Sequence, residues 1–103
     1  MSKDKEMYIS VIAMSGEAKT LFVEAIDQAE SGAIEKAYQL YGKGCDLLKQ
    51  VGNYTKIDLE SVLTVTDSMI CAHMQDYIFM AETIGLMAFK FIKLYEEREK
   101  WKK

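Results

Sequence analysis

The chain has 103 residues and none is proline. Proline in a helix interior removes a donor and clashes with the preceding turn. Nothing of that kind obstructs long helices here, and three apolar patterns of helical period fill the sequence. The first spans about Lys5 to Glu30. Ile9, Ile12, Ala13, Gly16 and Val23 share one face, and Met7, Val11, Met14, Ala18, Phe22, Ala25 and Ala29 share the opposite one. The polar residues Ser10, Glu17, Glu24 and Gln28 gather between them. A surface helix carries one apolar stripe, so two faces predict burial from two sides. Ser31-Gly32 supplies a C-terminal glycine stop.

The second pattern spans about Ala33 to Val51, with Ala37, Leu40, Tyr41, Leu47, Leu48 and Val51 apolar. Gly42 and Gly44 weaken it locally. Gly52-Asn53 predicts a turn, followed by a connecting loop over Tyr54 to Glu60. The third pattern runs from about Leu59 to the C-terminus. Val62, Met69, His73, Met80, Met87 and Phe91 fall in one narrow sector at 100° per residue, with Asp76, Tyr77 and Ile84 beside it. Thr64, Ser68, Gln75, Glu82 and Lys93 lie on the far side. Most of this helix's circumference is apolar, which again predicts double burial. Long helices with short connections give an all-α, antiparallel up-down-up three-helix bundle, in one domain over residues 1–103, with residues 1–5 expected to be flexible. The β-branched run "VLTVTD" sits inside the third pattern and does not read as a strand.

Composition removes several function classes. Thirteen basic against sixteen acidic residues give a net charge of −3, so there is no surplus to neutralise phosphates and no nucleic-acid partner is expected. Arg98, Lys100, Lys102 and Lys103 alternate with Glu96, Glu97 and Glu99 as a solvated helix end. Tyr95 and Trp101 are expected to pack there. Cys45 and Cys71 form no CxxC pair, and Cys71 is expected to be buried and inert. Most of the seven methionines are expected to fill the core. No P-loop, GxGxxG or nucleophile elbow is present. Glu82, Lys90 and Lys93 interrupt the longest apolar stretch and no signal peptide opens the chain. The expectation is a cytoplasmic protein without direct membrane insertion.

His73, the sole histidine, is the candidate for chemistry. Residues three and four apart are neighbours on a helix, so His73 can meet Asp76, Tyr77 and Met69 unaided. A group that accepts a proton from one ring nitrogen fixes the tautomer and frees the other as a nucleophile; a carboxylate could do so, though it need not be Asp76. A core histidine bonded to a core aspartate is the competing reading, opposed by the cost of burying a carboxylate. If third helices packed around a symmetry axis, copies of Asp76 would cluster and call for protons or a hard divalent cation.

The stretch "AHMQDYIFMAETIGLMAFKFIKLYEE" resembles the third helix of the IIA proteins of the lactose/cellobiose branch of the bacterial sugar phosphotransferase system. The family motif, close to His-Ala-Gln-Asp-His, stands here as His73-Met74-Gln75-Asp76-Tyr77. "SGEAKTLFVEAIDQAESGAIEKA", Ser15 to Ala37, resembles the family's first helix, glycine turn and second-helix opening. The resemblance implies a homotrimer of three-helix subunits. It implies that His73 takes a phosphoryl group from the carrier HPr and passes it to a cysteine of the matching IIB protein, for uptake of a lactose-, cellobiose- or chitobiose-type sugar. It places Asp76, in three copies at the trimer axis, on one structural Mg2+ per trimer, and gives Gln75 a supporting role. Two departures are visible: Tyr77 stands for the motif's second histidine, and "LLKQVGNYTKIDLE" lacks the histidine many members carry near the end of helix 2. The alternative is a helical interaction module that keeps the fold without carrying phosphate.

Overall fold

The computed structural model of the chain describes the backbone of residues 2–58 and 65–102, and the side chains of 6–53, 69 and 72–102. It is a rod 59 Å long and about 17 Å across. Three helices build it: α1 (Ser2–Glu30), α2 (Ile34–Asp58) and α3 (Val65–Trp101). No strand occurs among the described residues. Tyr8 and Val11 of α1 pack with Val51 of α2 and Met74 of α3, while Ala25 and Ala29 pack with Ala37 and Ile92. The start of α1 therefore meets the end of α2 and the start of α3, which is the expected up-down-up order.

The buried line on α1 is Tyr8, Val11, Ser15, Ala18, Phe22, Ala25 and Ala29. On α3 it is Met74, Ala81, Gly85, Ala88 and Ile92. Both lines step by three, four or seven residues, so each occupies one side of its helix. Small residues dominate them and let the backbones approach. Phe22 fills the narrowest level. A Cβ built on Gly44 would lie 2.6 Å from Phe22 Cε1, and one on Gly85 would lie 2.8 Å from its Cε2. The two glycines hold the ring from α2 and α3. Gly44 is thus a packing requirement of the core as well as a local weakness in α2.

The α1–α2 turn closes as the glycine stop predicts. Gly32 has φ +95°, a left-handed conformation that other residues rarely adopt. Its N–H donates to Ala29 O at 3.0 Å, and the Ala33 N–H donates to Gln28 O at 2.9 Å. This pair of bonds is the Schellman arrangement that satisfies a helix's last carbonyls.

The second expected turn is not there. α2 runs through Gly52-Asn53 to Asp58, so residues 54–58 belong to the helix and not to a loop. One helical glycine costs only about 1 kcal/mol, and buried Val51 ties this turn to Tyr8, Val11 and Met74. The remainder of the expected loop, with the expected start of the third helix at Leu59 and the apolar position Val62, lies outside the described residues. The side chain of Cys71 does too. α1 starts at Ser2, before the expected Lys5.

The C-terminal end of α3 is more than a solvated charge run. Arg98 Nη2 donates to Glu30 O at 2.6 Å, and its guanidinium carbon lies 4.8 Å from the centre of the Tyr95 ring. Tyr95 Oη donates to Glu30 Oε2 at 3.3 Å, and Tyr38 Oη donates to Glu96 Oε1 at 2.9 Å. The last turns of α3 thus clasp the ends of α1 and α2. Trp101 takes no part in that packing: it is 85% exposed, contrary to the expectation that it packs at a helix end.

The methionines divide: Met7 and Met14 of α1 pack against the core as expected, and those on the outer side of α3 do not. Met74 belongs to the core, but Met69 is 68% exposed, and Met80, Met87, Leu86, Leu94 and Phe79 are also exposed. Ile9 and Val23 lie bare on the corresponding face of α1. The two apolar faces inferred for α1 and α3 are real, and the chain by itself covers one of each.

Candidate functional site

The five residues His73 to Tyr77 form a turn and a half of α3 near its beginning. Met74 is the anchor of that turn. It is buried against Tyr8, Val11 and Val51, and it fastens the turn to both other helices. Its neighbours in sequence, His73, Gln75 and Asp76, are all exposed, and Tyr77 is half-buried. At 100° per residue, burying Met74 sends His73 and Asp76 to the outer side of the helix. There they join the apolar row of Met69, Met80 and Met87.

This arrangement decides between two readings of the pair. A core histidine bonded to a core aspartate would require both to be buried, and neither is. Nor do they pair on the surface. Among the described residues, the one ring or polar contact of His73 is with Tyr77: their ring centroids are 5.0 Å apart and the planes stand at 87°. Asp76 is a neighbour on the helix without a hydrogen bond to the imidazole. Among the i+3, i+4 and i−4 partners open to His73, the tyrosine at i+4 is the one that meets it as a ring.

Three side chains of the bundle have shifted acidity. Burial raises the Tyr38 phenol above its ordinary value, helped by the bond and the charge of Glu96. Burial also raises Tyr41, with a hydrogen bond to Cys45 adding to it. A hydrogen bond from Arg98 lowers the Glu99 carboxyl, with Lys102 contributing. These groups cluster toward the clasped end; Arg98 is 25 residues along α3 from His73, roughly 37 Å at the helical rise.

What the site can do chemically is limited and clear. It presents one reachable nucleophilic imidazole, fixed to a rigid turn, with an amide and a carboxylate on the next two exposed positions. One chain gathers no group of three metal-binding side chains among its described residues. Asp76 is exposed on the outer side of its own bundle. The role of Met74 as anchor was not drawn from the sequence. The signal was there: Met74, Ile78, Ala81, Gly85, Ala88 and Ile92 repeat at four and three residues.

No described helix is long and apolar enough to cross a membrane. No curated protein matches the chain and no solved structure matches it. A family model described as the lactose/cellobiose-specific IIA subunit of the phosphotransferase system matches residues 6–96. The match covers most of the chain, from the first helix to the clasp, and the chain belongs to that family.

Proposed function

We propose, with that family membership as the premise, that His73 is the phosphoryl acceptor and donor of a sugar phosphotransferase system. A free ring nitrogen of neutral His73 attacks the phosphorus of phosphorylated HPr. A nitrogen–phosphorus bond forms on His73 as the one on the HPr histidine breaks. A cysteine thiolate of the IIB partner then attacks the same phosphorus, and the bond to His73 breaks as a sulfur–phosphorus bond forms. The phosphoryl group goes on to a sugar of lactose, cellobiose or chitobiose type. Such transfers ask little of a protein beyond positioning and charge stabilisation. The observation that carries the reading is the exposure of His73 on a turn pinned from beneath by Met74. A buried histidine could not reach two successive partners.

The reading includes a homotrimer. Its support is the outer face of α3. Met80, Met87, Leu94 and Trp101 recur at seven-residue intervals, and all four are exposed; His73 lies at the margin of this row, in a groove between subunits that partners can reach. A seven-residue row of this kind is the seam through which helices pair with helices. Packing of three α3 helices along it would cover the apolar surface that one chain leaves bare. Asp76 sits in the same exposed sector, so three copies would meet near the axis. Three carboxylates together repel, and their oxygens suit one hard cation, Mg2+. When bound, that ion would offset most of the cluster's negative charge and hold the helices together; it takes no part in the transfer. Gln75, exposed beside Asp76, has a supporting role.

The test is intact-mass measurement at neutral or alkaline pH after incubation with phosphoenolpyruvate, enzyme I and HPr, beside His73→Ala. The expected result is one added phosphate, acid-labile and absent from the variant. A folded chain that gains none, while a known IIA protein is phosphorylated in the same mixture, would replace the carrier with a helical interaction module.

A further inference from the structure

His73 is an exposed side chain on a helix, with no hydrogen bond or ion pair to another described residue to hold it. A nucleophile for in-line transfer has to be held in direction as well as place, because a small misalignment of the reacting atoms costs rate. Among the described residues, the ring that meets the imidazole is that of Tyr77. Helical side chains lean toward the N-terminus of their helix, so the ring at i+4 falls back over the residue at i. That is what the structure shows: the two rings stand edge to face, at 5.0 Å and 87°. Tyr77 is itself half-buried, on the shoulder between the outer row of α3 and the line through Met74. It is therefore a seated wall against which an unseated imidazole rests. Both residues belong to one helix, so the contact exists before any assembly.

The geometry points to Tyr77 as a positioning residue: its aromatic ring, and not its hydroxyl, limits the orientations of the His73 imidazole and so sets the rate at which His73 accepts phosphate. The inference rests on His73 being the acceptor.

Two variants test it. Tyr77→Leu keeps an apolar side chain on the shoulder and removes the aromatic ring. Tyr77→Phe keeps the ring and removes the hydroxyl. The readouts are the single-turnover rate of phosphate transfer from phosphorylated HPr and the proton resonances of the one imidazole in the chain. Helix content and molecular mass are checked to be those of the parent. The expected result is a rate about two- to twelvefold slower in Tyr77→Leu, the range that an edge-to-face ring pair supports. The His73 resonances shift at the same time as the neighbouring ring current disappears. Tyr77→Phe keeps both the rate and the resonances. A Leu variant at the parental rate overturns the inference. So does a Phe variant as slow as the Leu one, since the hydroxyl would then be the working group. Phosphate appearing on His73→Ala, or none on the parent chain, is a different result: it overturns the acceptor assignment, and this inference with it.

Discussion

α3 has two apolar faces of different side-chain size and opposite fates. The inner one, Met74, Ala81, Gly85, Ala88 and Ile92, is buried by the chain's own α1 and α2. The outer one, Met69, Met80, Met87 and Leu94, meets none of that cover. Size explains the inner face: small residues let three backbones close around Phe22. Larger, flexible side chains on the outer face would fill a wider gap between separate molecules. The comparison teaches that hydrophobicity by itself does not say which surface a chain keeps for itself. The size of the side chains along each face does.

The strongest way to break this contrast is to charge the outer face. Met80→Glu together with Met87→Glu should leave a helical chain that sediments as a single copy. The parent should sediment as three. Each methionine loses about 1.5–3 kcal/mol of burial, and like charges are added at both levels. A double variant that still sediments as a trimer would place the interface elsewhere. Cutting the inner face should behave differently. Ile92→Ala, at a fully buried position, should lower stability by about 2–5 kcal/mol. The loss, measured by denaturant melts, should already be present in the single copies of the charged double variant. A finer test is the Phe22 level. Gly85→Ala should cost about 1–3 kcal/mol by overpacking, and Phe22→Leu in the same chain should return part of it. Additive losses would mean that the ring and the glycine do not compete for space. The smallest effect runs the other way. Ser15 is 1% exposed and its hydroxyl has no hydrogen-bond partner among the described residues. Ser15→Ala should therefore raise stability by about 1 kcal/mol, visible as a higher melting temperature.

Much of this was legible from spacing. Two apolar faces on α1 and α3 follow from the positions of Val11, Phe22 and Ala29 against Ile9 and Val23, and of Met80 and Met87 along α3. The Gly32 stop was legible because the left-handed residue after a helix favours glycine. The Gly52-Asn53 turn was misread for a physical reason. Turn propensity is local and small, and the burial of Val51 two helices deep outweighs it. The clasp was invisible because Arg98 and Glu30 are 68 residues apart. A main-chain carbonyl as partner leaves no trace in side-chain patterning. At the site, His73, Gln75 and Asp76 stood out as a motif, and their exposure did not. Exposure depends on which neighbour is buried, and that neighbour is Met74.

The clasp sits at the other end of the rod from His73, and just beyond it Trp101 stands bare. The chain has one tryptophan, it lies past the matched residues 6–96, and it continues the seven-residue row of the outer face. The protein therefore carries its own optical gauge. An indole in water emits far to the red, and one covered by a neighbouring copy emits toward the blue. Were copies to close on one another along this row, dilution followed by fluorescence alone would read the fraction closed, without label or mutation; emission unchanged by dilution would leave Trp101 outside any such contact.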